Sequence, residues 1–395
     1  MADNKFTNDK KVQIIARACN DEMDYIRASK SYMSQNDFKG KKFGRDYKIY
    51  IPDPGKVVDG VVADPDTVEE IEYNVRLENK NTSCELSAWN SLGDVDSFTD
   101  EIAIPRGTAL ARSVQKTVVR KNAFRSAQAV VSDKPSFGVL SDAAAMLIEL
   151  AVNADMVSFH SPTVLGKVAA SGLANFIPAQ QAKDIYTKNY LGEYAGASQI
   201  GLAVLPTVTT PKTIPVPTVT LTAVNDADGN VVGFEPVSKV SGTGLVAGLA
   251  YKAAGLKVVD PTGIETEQDF IVIVQDSDGN VPEIRVTVDG KANGNPNAWV
   301  PAGTTSLTLE AILEPEKTYY VGQVRTKEAL AYDDYRFDDL PGSDNEAVST
   351  EGAVTVKMSQ YGDGRDLSKL VRLDLPFAAG IPDARFSVTT YIVKD

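Results

Sequence analysis

Apolar residues recur at helical spacing in four stretches of the chain, and each stretch predicts a helix. The first is VQIIARACNDEMDYI, near the N-terminus. The second and longest begins at Pro105, which suits a first helical turn, and runs for about 25 residues to Ala127. The third follows a predicted N-cap at Ser141, and the fourth starts at Ser161-Pro162.

Alternating apolar residues predict a long β-hairpin over residues 34–90. YKIYI starts at Tyr47 and IEYNVRL at Ile71, and a segment rich in proline and glycine separates them. Because an isolated two-stranded ribbon is marginally stable in water, we expect this hairpin to need a partner surface. Farther along, the apolar run MVSF predicts a buried strand, and QIGLAVLP predicts another strand that Pro206 closes.

The composition changes after Pro206, where Pro211, Pro215 and Pro217 disfavour a helix and indicate a domain boundary. Six short β-runs then alternate with turns: TVTLTAV, VVGFEPV, LKVVD, FIVIVQ, EIRVTV and TTSLTLEAIL. Their spacing predicts an antiparallel barrel or sandwich over residues 216–322, which we expect to fold on its own. Three more strands are predicted in residues 323–395, in VTVKMSQYGDG, LVRLDLPFAAGIP and RFSVTTYIV.

Charge is distributed unevenly along the 395 residues, whose net charge is −13. Residues 226–346 hold 21 acidic and 9 basic side chains, whereas residues 1–50 hold 7 acidic and 11 basic ones. An acidic chain repels phosphate at long range, which argues against sequence-specific nucleic-acid recognition. Cys19 and Cys84 predict two reduced thiols rather than a disulfide framework.

Neither targeting nor membrane insertion is predicted. The start of the chain, MADNKFTNDKKVQ, lacks the apolar core of a signal peptide, so we expect a protein made and kept in a cytoplasm. Every apolar run is also shorter than the roughly 18 residues that a membrane span needs.

Candidate catalytic chemistry is sparse. His160 is the only histidine, so a second histidine for a metal cluster does not exist, and its position at the end of a strand predicts a structural role. Four clustered carboxylates could serve acid–base chemistry, although such clusters are more often surface charge: Asp333, Asp334, Asp338 and Asp339. We therefore predict no catalytic residue, no metal site and no cofactor.

Two segments resemble the start of a calcium loop, NDADGN at residues 225–230 and QDSDGN at residues 275–280. In the first, Glu235 follows Gly229 by six residues, the offset of a calcium-loop glutamate, whereas Arg285 stands at that offset in the second. Both segments lie between β-runs and contain Asp-Gly, which favours hairpin turns. Calcium binding by the first segment therefore stays an open alternative. A further glycine-rich segment, SGTGLVAG at residues 241–248, is interpreted as a loop.

A series of motifs occurs in a definite order along the middle of the chain. These are LSDA at residues 140–143, Ser161-Pro162, FIPA at 176–179, DIY at 184–186, LGEYAG at 191–196 and Leu205-Pro206. In this order they resemble the major capsid proteins of tailed bacteriophages with the Hong Kong 97-like fold, above all podovirus coat proteins that carry an inserted β-domain. The resemblance spans nearly the whole chain and is weakest in the N-terminal arm and in residues 332–346.

The resemblance implies an α+β fold of six segments. These are an N-terminal arm (1–33), an E-loop hairpin (34–90), a peripheral domain with a spine helix (91–140), the first part of an apical domain (141–215), an inserted β-barrel (216–322) and a return to the apical and peripheral domains (323–395). The implied protein is not an enzyme. It is a virion coat protein that self-assembles, in the host bacterial cytoplasm, through pentamers and hexamers into an icosahedral head around double-stranded DNA.

The implied partners are further copies of the chain, scaffolding and portal proteins, and packaged DNA through non-specific contact, with no membrane. The predicted spine helix carries a basic face, which could contact DNA or a scaffolding protein or could simply be solvated: Arg106, Arg112, Lys116, Arg120, Lys121 and Arg125. Three other identities stay open. They are a β-rich surface or extracellular binding protein, a shell-forming compartment protein of the same fold, and a histidine-poor hydrolase.

Overall fold

The protein is an α+β chain with far more strand than helix, which confirms the predicted class. The computed structural model describes residues 8–32, 46–52, 70–87, 102–150, 152, 154–170, 192–225, 231–287, 295–335, 345–363 and 368–394. The chain forms two compact units. Unit 1 comprises Met1–Lys48, Asn74–Val119 and Leu330–Gly380, and unit 2 comprises Ile49–Tyr73, Arg120–Ala329 and Ile381–Asp395.

The described α-helices and β-strands follow in chain order. The helices are α1 (Asn8–Asp21), α2 (Asp24–Arg27), α3 (Ile104–Asn122), α4 (Phe137–Glu149) and α5 (Pro162–Ala170). The strands are β1 (Asp46–Pro52), β2 (Glu70–Ser87), β3 (Gln128–Ser132), β4 (Met156–His160), β5 (Glu193–Tyr194), β6 (Ala197–Gly201), β7 (Thr207–Thr209), β8 (Thr218–Thr220), β9 (Ala223–Asn225), β10 (Val231–Phe234), β11 (Val237–Lys239), β12 (Ala250–Val259), β13 (Glu265–Ile273), β14 (Asn280–Ile284), β15 (Val286–Thr287), β16 (Ala298–Trp299), β17 (Ser306–Ala311), β18 (Thr318–Thr326), β19 (Ala331–Asp334), β20 (Asn345–Glu351), β21 (Val354–Asp363), β22 (Ser368–Gly380) and β23 (Ser387–Val393).

The four predicted helices are present, but two of their ends differ from the prediction. Helix α3 ends at Asn122, so Ala127 lies outside it, because the following residues enter β3 and pair with β23. Helix α4 begins at Phe137, and Ser136 occupies the N-cap position. Ser141 is therefore not an N-cap; it lies inside the helix, where its hydroxyl donates to the Gly138 carbonyl at 2.9 Å. The pairing of β3 with β23 thus sets the end of α3, and the earlier start of α4 places Ser141 inside that helix. In both cases tertiary structure overrides the local sequence signal.

Unit 1 is built around a six-stranded sheet in the order β1-β2-β22-β21-β20, with β19 also paired to β22. The predicted strands of the C-terminal region appear here as β21 and β22. Helix α1 packs on β20 and β21 through buried Val12, Ile15 and Ala16. It also contacts α3 closely, because a Cβ on Gly107 would lie 3.1 Å from the Ile15 carbonyl oxygen.

Unit 2 contains a seven-stranded sheet in the order β3-β23-β18-β4-β6-β5, with β7 also paired to β18. The predicted MVSF strand is β4, and every residue of it is buried. Helices α4 and α5 pack on this sheet through two apolar clusters. Leu140 and Val164 contact Ile392 in the first cluster, and Ala144 and Leu147 belong to the second.

A second six-stranded sheet of unit 2, here called the inserted sheet, is formed by β15-β16-β12-β17-β8, with β13 paired to β12. Beside it lie two strand pairs, β9 with β10 and β11 with β14. The six predicted β-runs all contribute strands, and the β15–β16 pair is parallel rather than antiparallel. The expected boundary at residue 322 falls within β18, which belongs to the seven-stranded sheet.

The inserted sheet and the seven-stranded sheet share one hydrophobic core. The same apolar cluster contains Tyr251 and Leu309 of the inserted sheet together with Val321 and Tyr391 of the seven-stranded sheet. Just before β12, Gly248 lies close to the seven-stranded sheet, because a Cβ there would lie 2.4 Å from Val208 Cγ2 of β7. Since a module that folds alone needs its own core, this continuity argues against the expectation that residues 216–322 fold independently.

Candidate functional site

His160 is a buried residue of the seven-stranded sheet. Its side chain is 1% exposed, and burial lowers the pKa of the imidazole to about 4. The ring lies beside the backbone of Gly322, where a Cβ would come within 2.3 Å of His160 Nδ1 and 2.5 Å of Thr390 Oγ1. A general base has to reach a substrate proton, and this imidazole is enclosed by its own sheet. The geometry supports the structural role predicted for His160.

The carboxylates of β19 hold the end of the N-terminal segment. Asp333 Oδ1 accepts hydrogen bonds from Ser31 Oγ at 2.8 Å and from the Tyr32 amide at 2.9 Å. Burial raises the pKa of Asp334, whose carboxylate accepts a hydrogen bond from the Thr355 hydroxyl. These two groups therefore fix local structure, while the other two carboxylates of the predicted cluster, at positions 338 and 339, lie outside the described residues.

The second calcium-like segment forms a turn between β13 and β14. Asp276 Oδ1 accepts hydrogen bonds from the amides of Asp278 at 3.0 Å and Asn280 at 3.2 Å. Gly279 has a φ of 80°, which allows the chain to reverse. The carboxylate is thus engaged in the turn itself, although the flanking strands pair elsewhere, β13 with β12 and β14 with β11, so the turn does not close a paired hairpin. Most of the first segment, residues 226–230, lies outside the described residues, and no metal-ligating cluster is found among the residues that are described.

Both cysteines are free thiols, as predicted. Cys19 is buried where α1 meets α3, and its Sγ donates to the Gly107 carbonyl at 3.3 Å. Burial raises the pKa of Cys19 to about 12, which leaves it un-ionised and unreactive at neutral pH. Burial also raises the pKa of Cys84, although Arg106 opposes the shift.

The predicted basic face of α3 is only partly available. Arg106 donates to Thr82 Oγ1 at 3.1 Å, and Arg112 pairs with Glu22 at 3.0 Å. Arg125 lies beyond the end of α3 and stacks on the Tyr73 ring, 5.4 Å from its centroid. Lys116 and Arg120, one helical turn apart, remain exposed. The basic stripe is therefore smaller than the sequence suggested.

The hairpin strand β2 keeps much of its surface open to solvent. Between Glu72 and Glu85 the side chains are exposed or half-buried, with Val75 as the one buried residue. Tyr50 of β1 is 50% exposed, an unusual position for a large aromatic side chain in a strand. Leu77–Ser87 pair in continuous register with β22. The strand is thus ordered on its hydrogen-bonding edge while its faces remain partly uncovered.

Arg385 is a densely hydrogen-bonded polar group of unit 2. Its side chain is 1% exposed and forms a two-point ion pair with Asp383, whose side chain is 4% exposed. Burial raises the pKa of Asp383, but the Arg385 charge and its hydrogen bonds outweigh burial and hold that pKa below its ordinary value.

Among the described residues, no helix is long and apolar enough to cross a membrane.

Comparison with known proteins gives structural neighbours. Neither a protein-family model nor a curated protein matches the chain. Among solved structures, the capsid of the cyanophage P-SCSP1u aligns over 94% of this chain and 87% of its own, with 11% identity and a TM-score of 0.45. The head of the Helicobacter pylori bacteriophage KHP40 aligns over 93% and 86%, with 9% identity and a TM-score of 0.45.

A virus-like particle from Pyrococcus furiosus aligns over 96% of this chain and 97% of its own, with 8% identity and a TM-score of 0.39. These three neighbours are two phage capsid structures and a virus-like particle.

Proposed function

We propose that this chain is the major capsid protein of a tailed bacteriophage. It self-assembles through pentamers and hexamers into an icosahedral head shell that encloses double-stranded DNA, and it performs no catalysis. Its partners are further copies of itself, scaffolding and portal proteins, and DNA held by non-specific contact. It is assembled in the host bacterial cytoplasm and resides in the virion.

The observation that carries the proposal is the agreement between motif order and element order. LSDA lies in α4, Ser161-Pro162 joins β4 to α5, and the end of LGEYAG forms the β5–β6 hairpin. All five of these strands and helices belong to the seven-stranded sheet or pack on it. FIPA and DIY lie outside the described residues.

Two further features support a protein that works by association. Of the described candidate catalytic groups, His160 is enclosed within its sheet, and the β19 carboxylates accept hydrogen bonds from neighbouring residues. The long hairpin strand β2, by contrast, leaves its faces partly uncovered, as expected of a segment that a neighbouring copy covers.

We also propose the segment roles that the resemblance implies. Residues 1–33 form the N-terminal arm, 34–90 the E-loop, 91–140 the peripheral domain with α3 as spine helix, and 141–215 the first part of the apical domain. Residues 216–322 form the inserted β-barrel domain, and 323–395 return to the apical and peripheral domains. The shared core refines this division, because it makes the inserted segment an integral part of unit 2.

The test is to express the full chain in bacteria and to examine the purified material by sedimentation and negative-stain electron microscopy. We expect large closed or aberrant shells. A strictly monomeric, fully ordered protein at high concentration would contradict the proposal. Nucleic-acid content and the identity of any enclosed protein distinguish a phage head from a compartment shell of the same fold.

A further inference from the structure

A buried arginine of the C-terminal segment binds the inserted sheet through hydrogen bonds, in addition to the shared apolar core. Residues 384–386 form a single turn that Asp383 caps, with the Arg385 amide donating to Asp383 Oδ1 at 3.0 Å. Directly afterwards the chain enters β23, which pairs with β18 on one side and with β3 on the other. The backbone around Arg385 is therefore fixed by its own sheet.

The Arg385 guanidinium reaches from this turn to the inserted sheet. Its Nη1 donates to the carbonyl oxygens of Asp260 at 2.8 Å, Pro296 at 3.1 Å and Val259 at 3.3 Å. Its Nη2 donates to Asn295 Oδ1 at 2.7 Å. These acceptors lie at the end of β12 and in the segment before β16, and we call the group the Arg385 seam.

The acceptors of the seam are costly to bury without Arg385. A buried carbonyl that loses its donor keeps the full cost of its desolvation, and a buried carboxylate that loses its arginine costs more. Asp383 would be such a carboxylate, since its side chain is 4% exposed. Lysine could pair with Asp383, but it lacks the planar five-donor fork needed to reach the carbonyls at the same time.

The seam joins parts of the chain that are far apart in sequence. Its carbonyl acceptors precede Arg385 by 89 to 126 residues. Because synthesis proceeds from the N-terminus, the inserted sheet exists for some time without its last donor. The seam can close only after the C-terminal residues are made.

We propose that Arg385 is a latch that couples docking of the inserted sheet to insertion of β23. With the latch closed, the ends of β12 and β16 are held on the seven-stranded sheet. With the latch open, the inserted sheet stays attached through its apolar contacts, but these ends open locally. This property does not depend on the proposed assembly function, because it concerns folding of the single chain.

The test is hydrogen exchange, measured by mass spectrometry on the full unassembled chain and on its R385K variant. The reporting amides are Val259, which donates to the Asn297 carbonyl, and Asn297 and Ala298, which both donate to the Arg285 carbonyl. We expect these amides to exchange at least about tenfold faster in R385K, the effect of losing one to two buried hydrogen bonds. Amides of β4 should be unchanged.

R372K is the matched control. Arg372 also pairs with an aspartate two residues away, Asp374, through Nε and Nη2, but it lies in unit 1. The R372K substitution should leave amide exchange at the Arg385 seam unchanged. The latch is refuted if R385K exchanges like the wild type at the seam, or if β4 accelerates equally, since that indicates a general loss of stability. If R385K does not fold, the N295A variant, which removes one acceptor of the seam, replaces it in the test. A faster amide exchange confined to the seam in N295A supports the latch, and unchanged exchange there refutes it.

Discussion

Strands β2 and β12 are both long, yet they obtain their order in different ways. In β12, six of the ten residues are buried, and five of the six belong to the core that the inserted sheet shares with the seven-stranded sheet. In β2, the residues between Glu72 and Glu85 remain exposed or half-buried apart from Val75. The side chains of β12 are mostly buried within the chain, whereas those of β2 stay mostly exposed or half-buried.

This difference indicates which parts of the molecule serve folding and which serve association. Burial of apolar side chains supplies most of the stability of a folded chain, so β12 and its neighbours stabilise the subunit. A strand whose faces are open gains stability when another surface covers it. We therefore expect changes at the inserted sheet to affect folding and changes at the hairpin to affect assembly.

The largest expected effect comes from the hairpin. Replacing residues 51–72 with a short Gly-Ser linker keeps the Leu77–Ser87 register with β22 and the contact of Tyr73 with Arg125. The subunit should remain folded by circular dichroism but should form no stable shells in sedimentation and electron microscopy. Particles of normal stability would show that this hairpin is not an intersubunit element.

A second variant tests the shared core. Gly248→Ala places a Cβ 2.4 Å from Val208 Cγ2 at a φ of 87°, so both packing and backbone oppose it. We expect a loss of about 3 kcal/mol or more in urea unfolding. Gly263→Ala is the control, because Gly263 has nearly the same φ, 86°, with no heavy atom near its Cβ position, and it should cost about 1–2 kcal/mol. Equal losses would mean that the two sheets do not pack as closely as described.

The pH dependence of folding tests the burial of His160. In the unfolded chain the imidazole titrates near 6.5, and in the folded chain its pKa is about 4. Between these values the unfolded state binds the proton first, so stability should fall as pH falls from 6.5 to 4, by about 3 kcal/mol. Asp334, whose pKa burial raises, contributes with the opposite sign. In His160→Gln this loss should shrink, and an undiminished loss would exclude His160 as its source.

The smallest effect is expected at the α3 surface. Arg112 and Glu22 form an ion pair with side chains 64% and 34% exposed. Exposed pairs contribute about 0.2–1 kcal/mol, so a double-mutant cycle of R112Q and E22Q should give a coupling energy in that range. A coupling several times larger would mean that this contact acts as a structural anchor like the Arg385 seam.

Sequence patterns predicted those elements whose signal is local. The strands β4, β21, β22 and β23 follow apolar runs and were predicted with their approximate positions. The predicted end of α3 was wrong. The alanines after Asn122 favour a helix by themselves, but the pairing of β3 with β23 decides the conformation of this segment.

The Arg385 seam could not be predicted from the sequence for a different reason. Three of its acceptors are main-chain carbonyls, and a carbonyl has no residue type that would reveal it. Only Asp383, two residues before Arg385, gives a local sign of the ion pair, and such a spacing is common in solvated segments. The carbonyl groups of the inserted segment that bind Arg385 come together only when the chain folds.

Hydrogen exchange of the full chain before and after assembly tests the central comparison most directly. We predict that amides of β2, from Glu72 to Glu85, exchange more slowly in assembled particles than in the unassembled subunit, because neighbouring copies cover that strand. Amides of β12 should exchange at the same slow rate in both states, because their core is already complete. Unchanged exchange in β2, or an equal slowing in β12, would contradict the account.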